Sequence, residues 1–222
     1  DKVLEYYNDK QFPEIIVGVI DTGVNYEHEL FDERLIRTYF NNSGEDDPYD
    51  ESDNNGHGTA VTSCIIKTTP DNVKIANYRV FNANGSGATS SICAAILQAI
   101  EKGIKTLNLS IAFSGDLEIQ LSILEHARKN NTFIICGAGN SSSNIDIRSA
   151  SYINTSDDTC SVGASTKQNL PAYFTNYGSG VDIVAPGLDV VSADKDGTYT
   201  LFSGTSASSP YMAGVFTTLT CV

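Results

Sequence analysis

Three side chains in this sequence stand in backbone settings that expose a reactive atom. The first is Ser206, inside Phe202-Ser203-Gly204-Thr205-Ser206-Ala207-Ser208-Ser209-Pro210-Tyr211-Met212-Ala213-Gly214. Gly204 lacks a Cβ and permits a tight turn. Pro210, four residues past Ser206, reads as a first-turn proline that costs a helix no hydrogen bond. Ser206 is thereby expected at a helix N-terminus, where unpaired N–H groups and the helix dipole favour a developing negative charge. Alone, such a serine would be an N-cap. Nucleophilic chemistry also demands a base, a group that orients the base, and an oxyanion donor. His57 is the candidate base: it sits between Gly56 and Gly58 at a helix start, where an imidazole projects into a cleft with little crowding. His28 and His126 lie in polar surroundings and read as surface residues. Asp21, at the end of the run Ile15-Ile16-Val17-Gly18-Val19-Ile20, is the candidate orienting carboxylate. Asn140, closing Gly137-Ala138-Gly139-Asn140, supplies an amide for an oxyanion, together with the Ser206 backbone N–H. These roles add up to acyl transfer: serine attacks a carbonyl, histidine carries the proton, aspartate holds the imidazole.

The elements that must position these groups follow from periodicity. Residues 15–20 form a continuous β-branched run, as in a strand buried on both faces of a parallel sheet. A carboxylate at the C-terminal end of such a strand sits where open α/β sheets hold ligands. Further strands are predicted over residues 73–81, 106–111, 132–136, 159–164, 181–185 and 190–193, the last two flanking a Pro186-Gly187 turn like a hairpin. Helices are predicted over residues 1–12 (ended by Pro13), from His57 to about Lys67, over 88–102 with Gly103 as its cap, and over 117–130 with Leu117, Leu121, Leu124 and Ala127 on one face. The alternation predicts an α/β fold with a mostly parallel central sheet and helices on both faces, three layers in all. No linker or internal repeat divides the 222 residues, so residues 1–222 read as a single domain.

Composition narrows the function. A net charge of −13 argues against nucleic acid, which needs a basic face, and against anionic membrane surfaces. The longest apolar runs are too short to span a bilayer. Cys64, Cys93, Cys136, Cys160 and Cys221 are widely spaced with no zinc pattern, and read as reduced thiols; this leans toward a cytoplasmic rather than a secreted location. Residues 41–55 carry six carboxylates and read as a solvated surface loop; the spacing does not fit an EF-hand. The Gly137–Gly139 pair lacks the rest of a dinucleotide fingerprint. An aspartic-protease reading of Asp21-Thr22-Gly23 requires two such motifs in a mostly β chain, and there is one.

Six motifs come in a familiar order: Asp21-Thr22-Gly23, Gly56-His57-Gly58-Thr59, Asn108-Leu109-Ser110, Ala138-Gly139-Asn140, Ala185-Pro186-Gly187 and Gly204-Thr205-Ser206. The chain resembles the subtilisin family of serine proteases from about residue 15 to residue 217. The Asp, His, Ser order is that of subtilisin. The resemblance implies a single peptidase domain acting on peptide or protein substrates as a serine endopeptidase, with a propeptide or inhibitor as further candidate partners. It implies that Ser110-Ile111-Ala112 forms one substrate-pairing edge and a wall of the S1 pocket, that Gly85, Ser86 and Gly87 form the opposing edge, and that an extended peptide pairs between them. It also implies that Gly137 and Ser151-Tyr152 line the bottom of S1 and that Phe81 walls S2. Ala60, Ala207-Ser208, Ala112 and Ser151 depart from the usual family residues. The resemblance implies no required cofactor. The stretch that carries high-affinity calcium in secreted members is short here, which leaves a weak cation site near Asp182 as the metal candidate. The alternative function is a catalytically inactive relative that binds peptides in the same groove.

Overall fold

In the computed structural model, described for residues 14–45, 47, 49–111, 116–146, 153 and 156–220, seven strands form one sheet: β1 (Ile15–Asp21), β2 (Leu35–Ile36), β3 (Val73–Arg79), β4 (Thr106–Leu109), β5 (Phe133–Gly137), β6 (Thr159–Ser165) and β7 (Ile183–Pro186). Their order is β2-β3-β1-β4-β5-β6-β7, and every neighbouring pair is parallel. Four α-helices accompany them among the described residues: α1 (His57–Ile66), α2 (Thr89–Glu101), α3 (Leu117–Lys129) and α4 (Thr205–Thr220).

Side chains alternate across a strand, so each central strand feeds two cores. Ile20, Leu107, Leu109 and Ile134 join Ile92, Ile96 and Ala99 of α2 and Ile123 and Leu124 of α3 on one face. Val17 and Val19 meet Val61 and Ile65 of α1 on the other, and Ile135 and Val162 meet Ala213 of α4. This is why residues 15–20 carry no polar alternation. The strand order reverses at β1, whose neighbours lead to β2 and β3 on one side and to β4 through β7 on the other. The crevice at the C-terminal ends of β1 and β4 is therefore the natural place for a site.

Several local expectations change. β7 and Val190–Ala193 (β8) are not a hairpin: β7 extends the parallel sheet, and β8 pairs antiparallel with Tyr199–Phe202 (β9), a strand absent from the sequence expectation although its residues favour strands. In α3 the packed face is Gln120, Ile123, Leu124 and Ala127, while Leu117 and Leu121 are exposed. His28 is buried, its Nε2 2.9 Å from Thr198 O and its Nδ1 accepting from Leu30 N, so it is not a surface residue. Pro210 is the sixth residue of α4, not a first-turn residue. The acidic loop is not solvated throughout. Glu51 is 1% exposed and accepts from Thr38 N, and Asp53 is buried. Asp50 and Glu45 close over the fully buried Arg79 of β3, which donates to Asp50 Oδ2 at 2.9 Å and to Glu45 Oε2. Burying Arg79 without these partners would strand a charge, so the loop is held inward. The helix expected over residues 1–12 lies outside the described residues, as does Cys221; the other four cysteines are free thiols.

Candidate active site

Asp21 ends β1 and is fully buried. Its Oδ1 accepts from Thr22 N at 2.8 Å and faces His57 Nδ1 at 2.7 Å. A carboxylate can only accept here, so Nδ1 carries the proton and Nε2 is left as the free basic nitrogen. His57 opens α1 behind Gly56, whose φ of 107° is in glycine territory. Asp53 braces that turn with five bonds. Its Oδ1 accepts from Thr22 Oγ1, Asn55 N and Gly56 N, and its Oδ2 from Thr59 N and Thr59 Oγ1, at 2.7–3.0 Å. Thr22 Oγ1 in turn accepts from Gly58 N at 2.8 Å. The start of α1 is thus tied to the Asp21 turn by side chains from both sides. Burial pulls the His57 pKa down, but the charge and hydrogen bond of Asp21, with the charge of Asp53 behind it, outweigh this and leave it raised above its ordinary value. The ring remains 29% exposed, with Phe202 edge-on at 5.4 Å.

Ser206 is the second residue of α4, in the first turn, where helix N–H groups have no carbonyl partner within the helix. Gly204 before it has φ of 145°, as the tight turn requires. Pro210 has no N–H to give the Ser206 carbonyl four residues back. The Ser110 hydroxyl fills that role, donating to Ser206 O at 3.2 Å. Ser110 Oγ accepts in turn from Asn108 Nδ2 at 2.8 Å and pairs with Ser209 Oγ at 2.9 Å. Reciprocally, Ser206 Oγ donates to the Ser110 carbonyl at 3.0 Å. In this resting rotamer, among the described residues, no hydrogen bond joins Ser206 Oγ to His57. The two are nevertheless brought to one place. Val19 of β1 pairs with Asn108 of β4, so two residues further on Asp21 and Ser110 leave adjacent strands at the same level, one holding His57 and the other Ser206.

Asn140 follows β5. Its Oδ1 accepts from Thr205 N at 2.8 Å, and Thr205 Oγ1 accepts from Gly139 N at 3.1 Å. This fixes the amide with Nδ2 beside Gly204, on the side of the turn that carries Ser206. The residues expected to pair with substrate are distributed around this centre. Gly85, Ser86 and Gly87 are exposed on a turn closed by Asn82 N to Ser86 O and Gly85 N to Asn82 O. Ala83 anchors that turn, its N–H donating to Glu45 Oε1 at 3.1 Å and its carbonyl accepting from Asn55 Nδ2 at 3.0 Å. Phe81 is 9% exposed, against Gly87. Ile111 is half-buried beside the α2–α3 core, and Gly137 lies against Thr205. Ala112 and Ser151, like Tyr152, lie outside the described residues. Sequence reasoning missed Asp53, Thr205 and Asn108 as supports. Thr205 and Asn108 entered only as letters of the motifs Gly204-Thr205-Ser206 and Asn108-Leu109-Ser110, and Asp53 only by lying four residues before His57.

Residues 13–220 match the model of the subtilase (peptidase S8) family. The chain belongs to the subtilase family. It is 34% identical over 208 residues to a thermophilic serine proteinase of Bacillus sp. (strain AK1), covering 90% of this chain and 50% of that protein. It is 34% identical to alkaline serine exoprotease A of Vibrio alginolyticus, covering 89% and 36%. With an intracellular serine protease of Paenibacillus polymyxa it shares 31% identity, covering 89% and 64%. This subtilase therefore spans only part of the length of these relatives, about half of the first. Among solved structures it resembles a cold adapted subtilisin-like serine proteinase, with a TM-score of 0.79 at 30% identity over 94% of this chain and 75% of that one. A lanthipeptide protease shares the fold, with a TM-score of 0.82 at 22% identity over 95% of this chain and 75% of that one.

The connection between α1 and β3 runs only from residue 67 to residue 72, and its one carboxylate, Asp71, faces Arg34 Nη1 at 3.4 Å. Asp182 Oδ2 accepts from Ser161 N at 2.7 Å, and no cluster of three or more His, Cys, Asp or Glu suited to a metal occurs among the described residues.

Proposed function

We propose that this subtilase domain is a serine endopeptidase in which Asp21, His57 and Ser206 form the triad and Asn140 binds the oxyanion. The observation that carries the reading is the 2.7 Å bond from His57 Nδ1 to the buried Asp21 carboxylate, which leaves Nε2 as a base at the strand ends where Ser206 also stands. A peptide laid extended along Ser110 and Ile111 would offer a backbone N–H to the Ser110 carbonyl, the acceptor now used by Ser206 Oγ. Substrate thus competes for that carbonyl and frees the hydroxyl to turn toward Nε2. Ser206 Oγ attacks the scissile carbonyl as His57 takes its proton. Asn140 Nδ2 and the Ser206 N–H receive the negative oxygen, and the imidazolium, steadied by Asp21, protonates the leaving amine. Water then enters by the same proton route and releases the acyl group. Exposed Gly85, Ser86 and Gly87 form the facing edge for the peptide, with Phe81 walling the position next to the scissile residue and Gly137 at the floor of the specificity pocket. The triad and oxyanion donors perform these steps with protein groups, and the substrate is a peptide or protein.

The test is intact-mass measurement after exposure to a fluorophosphonate, for wild type and Ser206→Ala. A single adduct on wild type, absent from the variant, is expected. A well-folded wild type that takes up no label refutes the reading and leaves a peptide-binding module without catalysis.

A further inference from the structure

Asn140 sits in a loop held largely from outside, with Ser143 Oγ to Ser141 O at 3.0 Å as a bond of its own. Gly139 before it has φ of 100°, and Ser142 after it has φ of 49°. Glycine takes its angle freely, but a serine in the left-handed region is held there by its surroundings. Those surroundings are a second segment, between β6 and β7, that crosses over the loop. Its backbone pairs with the far end of the loop: Ser142 N donates to Phe174 O at 2.9 Å, Tyr177 N to Ser143 O at 3.0 Å, and Ile145 N to Tyr177 O at 2.9 Å.

Asn176 lies in the middle of that crossing and makes the contacts nearest Asn140. Its N–H donates to Gly139 O at 3.0 Å, and its side-chain Nδ2 donates to Ala138 O at 2.8 Å. Its Oδ1 accepts from both Ser141 N and Ser143 N at 3.0 Å. One residue therefore grips the chain on both sides of Asn140, two bonds before it and two after. The task needs a donor and an acceptor on one short planar group, which is the chemistry of an asparagine amide. Thr205 N sets the orientation of the Asn140 amide, and Gly139 N to Thr205 Oγ1 and Ala138 N to Val162 O hold the approach to it, while the Asn176 side chain spans both flanks of Asn140 at once.

We propose that Asn176 is a positioning residue for catalysis, holding Asn140 where its amide meets the developing oxyanion. The proposal rests on Asn140 being the oxyanion donor. Its signature is a loss confined to the transition state, since an oxyanion donor binds the ground state little.

The experiment is a double-mutant cycle with steady-state kinetics on a peptide substrate, using wild type, Asn140→Ala, Asn176→Ala and the double variant. Asn140→Ala is expected to lower kcat by on the order of 10²–10³-fold. Asn176→Ala is expected to lower kcat by on the order of 10- to 10²-fold with KM within about twofold. In the Asn140→Ala background, Asn176→Ala is expected to change kcat by less than about twofold, because the group it positions is gone. A full, multiplicative loss in that background overturns the proposal and makes Asn176 a structural residue only, as does a rise in KM with kcat unchanged. An Asn140→Ala variant with unchanged kcat overturns the oxyanion reading itself. The backbone pairs at Phe174 and Tyr177 survive the Asn176 substitution. Should the alanine variant still fail to fold, the isosteric Asn176→Asp enters the same cycle. It keeps the acceptor for Ser141 N and Ser143 N but loses the donor to Ala138 O, and the same non-additivity is expected or the proposal fails.

Discussion

Gly58→Ala probes the joint on which the His57–Asp21 pair depends. A Cβ at Gly58 would stand 2.2 Å from Gly23 O, 3.1 Å from Thr22 Oγ1 and 3.2 Å from Asp21 Cβ. All three neighbours belong to the turn that carries Asp21, and the first is backbone, so no flexible side chain can move aside. The start of α1 cannot simply retreat, because Val61, Cys64 and Ile65 behind it are fully buried. Restoring ordinary contact must open the joint by about 1 Å, and a bond of 2.7 Å stretched that far is no longer a hydrogen bond. The 2.8 Å bond from Gly58 N to Thr22 Oγ1 goes with it. The overpacking should cost about 1–3 kcal/mol of stability, and the displaced base about 10²-fold in kcat/KM. Asp21 is also what holds the His57 pKa up, so the acid limb of the kcat/KM profile should shift to lower pH. Peptide hydrolysis followed across pH, alongside thermal unfolding, reads all three effects. Gly103→Ala is the control: its φ of 79° makes the substitution strained, but nothing lies within 4 Å of the new Cβ, so it should lower stability and leave the rate alone. The reasoning is refuted by a Gly58→Ala enzyme that keeps kcat/KM within about threefold of wild type with an unmoved acid limb, since that would mean a shift of this size does not matter.

Further outcomes follow from the same geometry. His57 must be neutral to act as base, and its pKa is raised, so the acid limb for the wild type should have its midpoint above the ordinary imidazole value of about 6.5, moving down in Asp21→Asn as kcat collapses. The stability linkage has the opposite sense: a raised pKa adds stability that is fully present below the unfolded value and lost as pH rises through the folded one, so unfolding titrations should show this group stabilising less as the rate turns on. Ser110→Ala should lower stability by about 2–3 kcal/mol, because it leaves the Ser206 carbonyl and Asn108 Nδ2 without partners. Adding Pro210→Ala, which restores an N–H four residues past Ser206, should recover part of that loss; a double variant less stable than Ser110→Ala would contradict the account of the Pro210 gap.

The residues proposed as the triad stood out in the sequence because each sits in a local backbone exception. Asp21 ends a run of β-branched residues, His57 stands between glycines, and Ser206 follows a glycine that turns the chain into a helix. Local chemistry of that kind is written in neighbouring letters. What holds these groups was far less legible. Asp53 and Glu45 belong to a stretch whose composition says solvent, yet Asp53 makes four bonds at the start of α1 and one to Thr22 Oγ1, and Glu45 reaches both Arg79 and the Ala83 N–H. A carboxylate that will find donors more than 30 residues away looks, in sequence, like one that faces water. The supposed hairpin at Pro186-Gly187 failed for a related reason: the turn signal was real, but whether the two strands pair with each other or with others is decided by the sheet, and β6 was already waiting for β7.

The division also explains why so much of the crevice is polar and buried. Thr22, Asp53, Thr59, Ser110, Thr205 and Ser209 are all nearly inaccessible, and hydrogen bonds tie them, directly or through one another, to the segments bearing Asp21, His57, Ser206 or Asn140. An apolar filling could hold these loops together with less desolvation, but it could not set the direction of a carboxylate, an imidazole and an amide at once, because dispersion contacts are nearly indifferent to rotation and hydrogen bonds are not. The Pro210 gap shows the principle at its smallest scale. A missing N–H in α4 creates a carbonyl that only a directed donor can satisfy, Ser110 supplies it, and the helix that carries the proposed nucleophile is thereby locked to the end of β4.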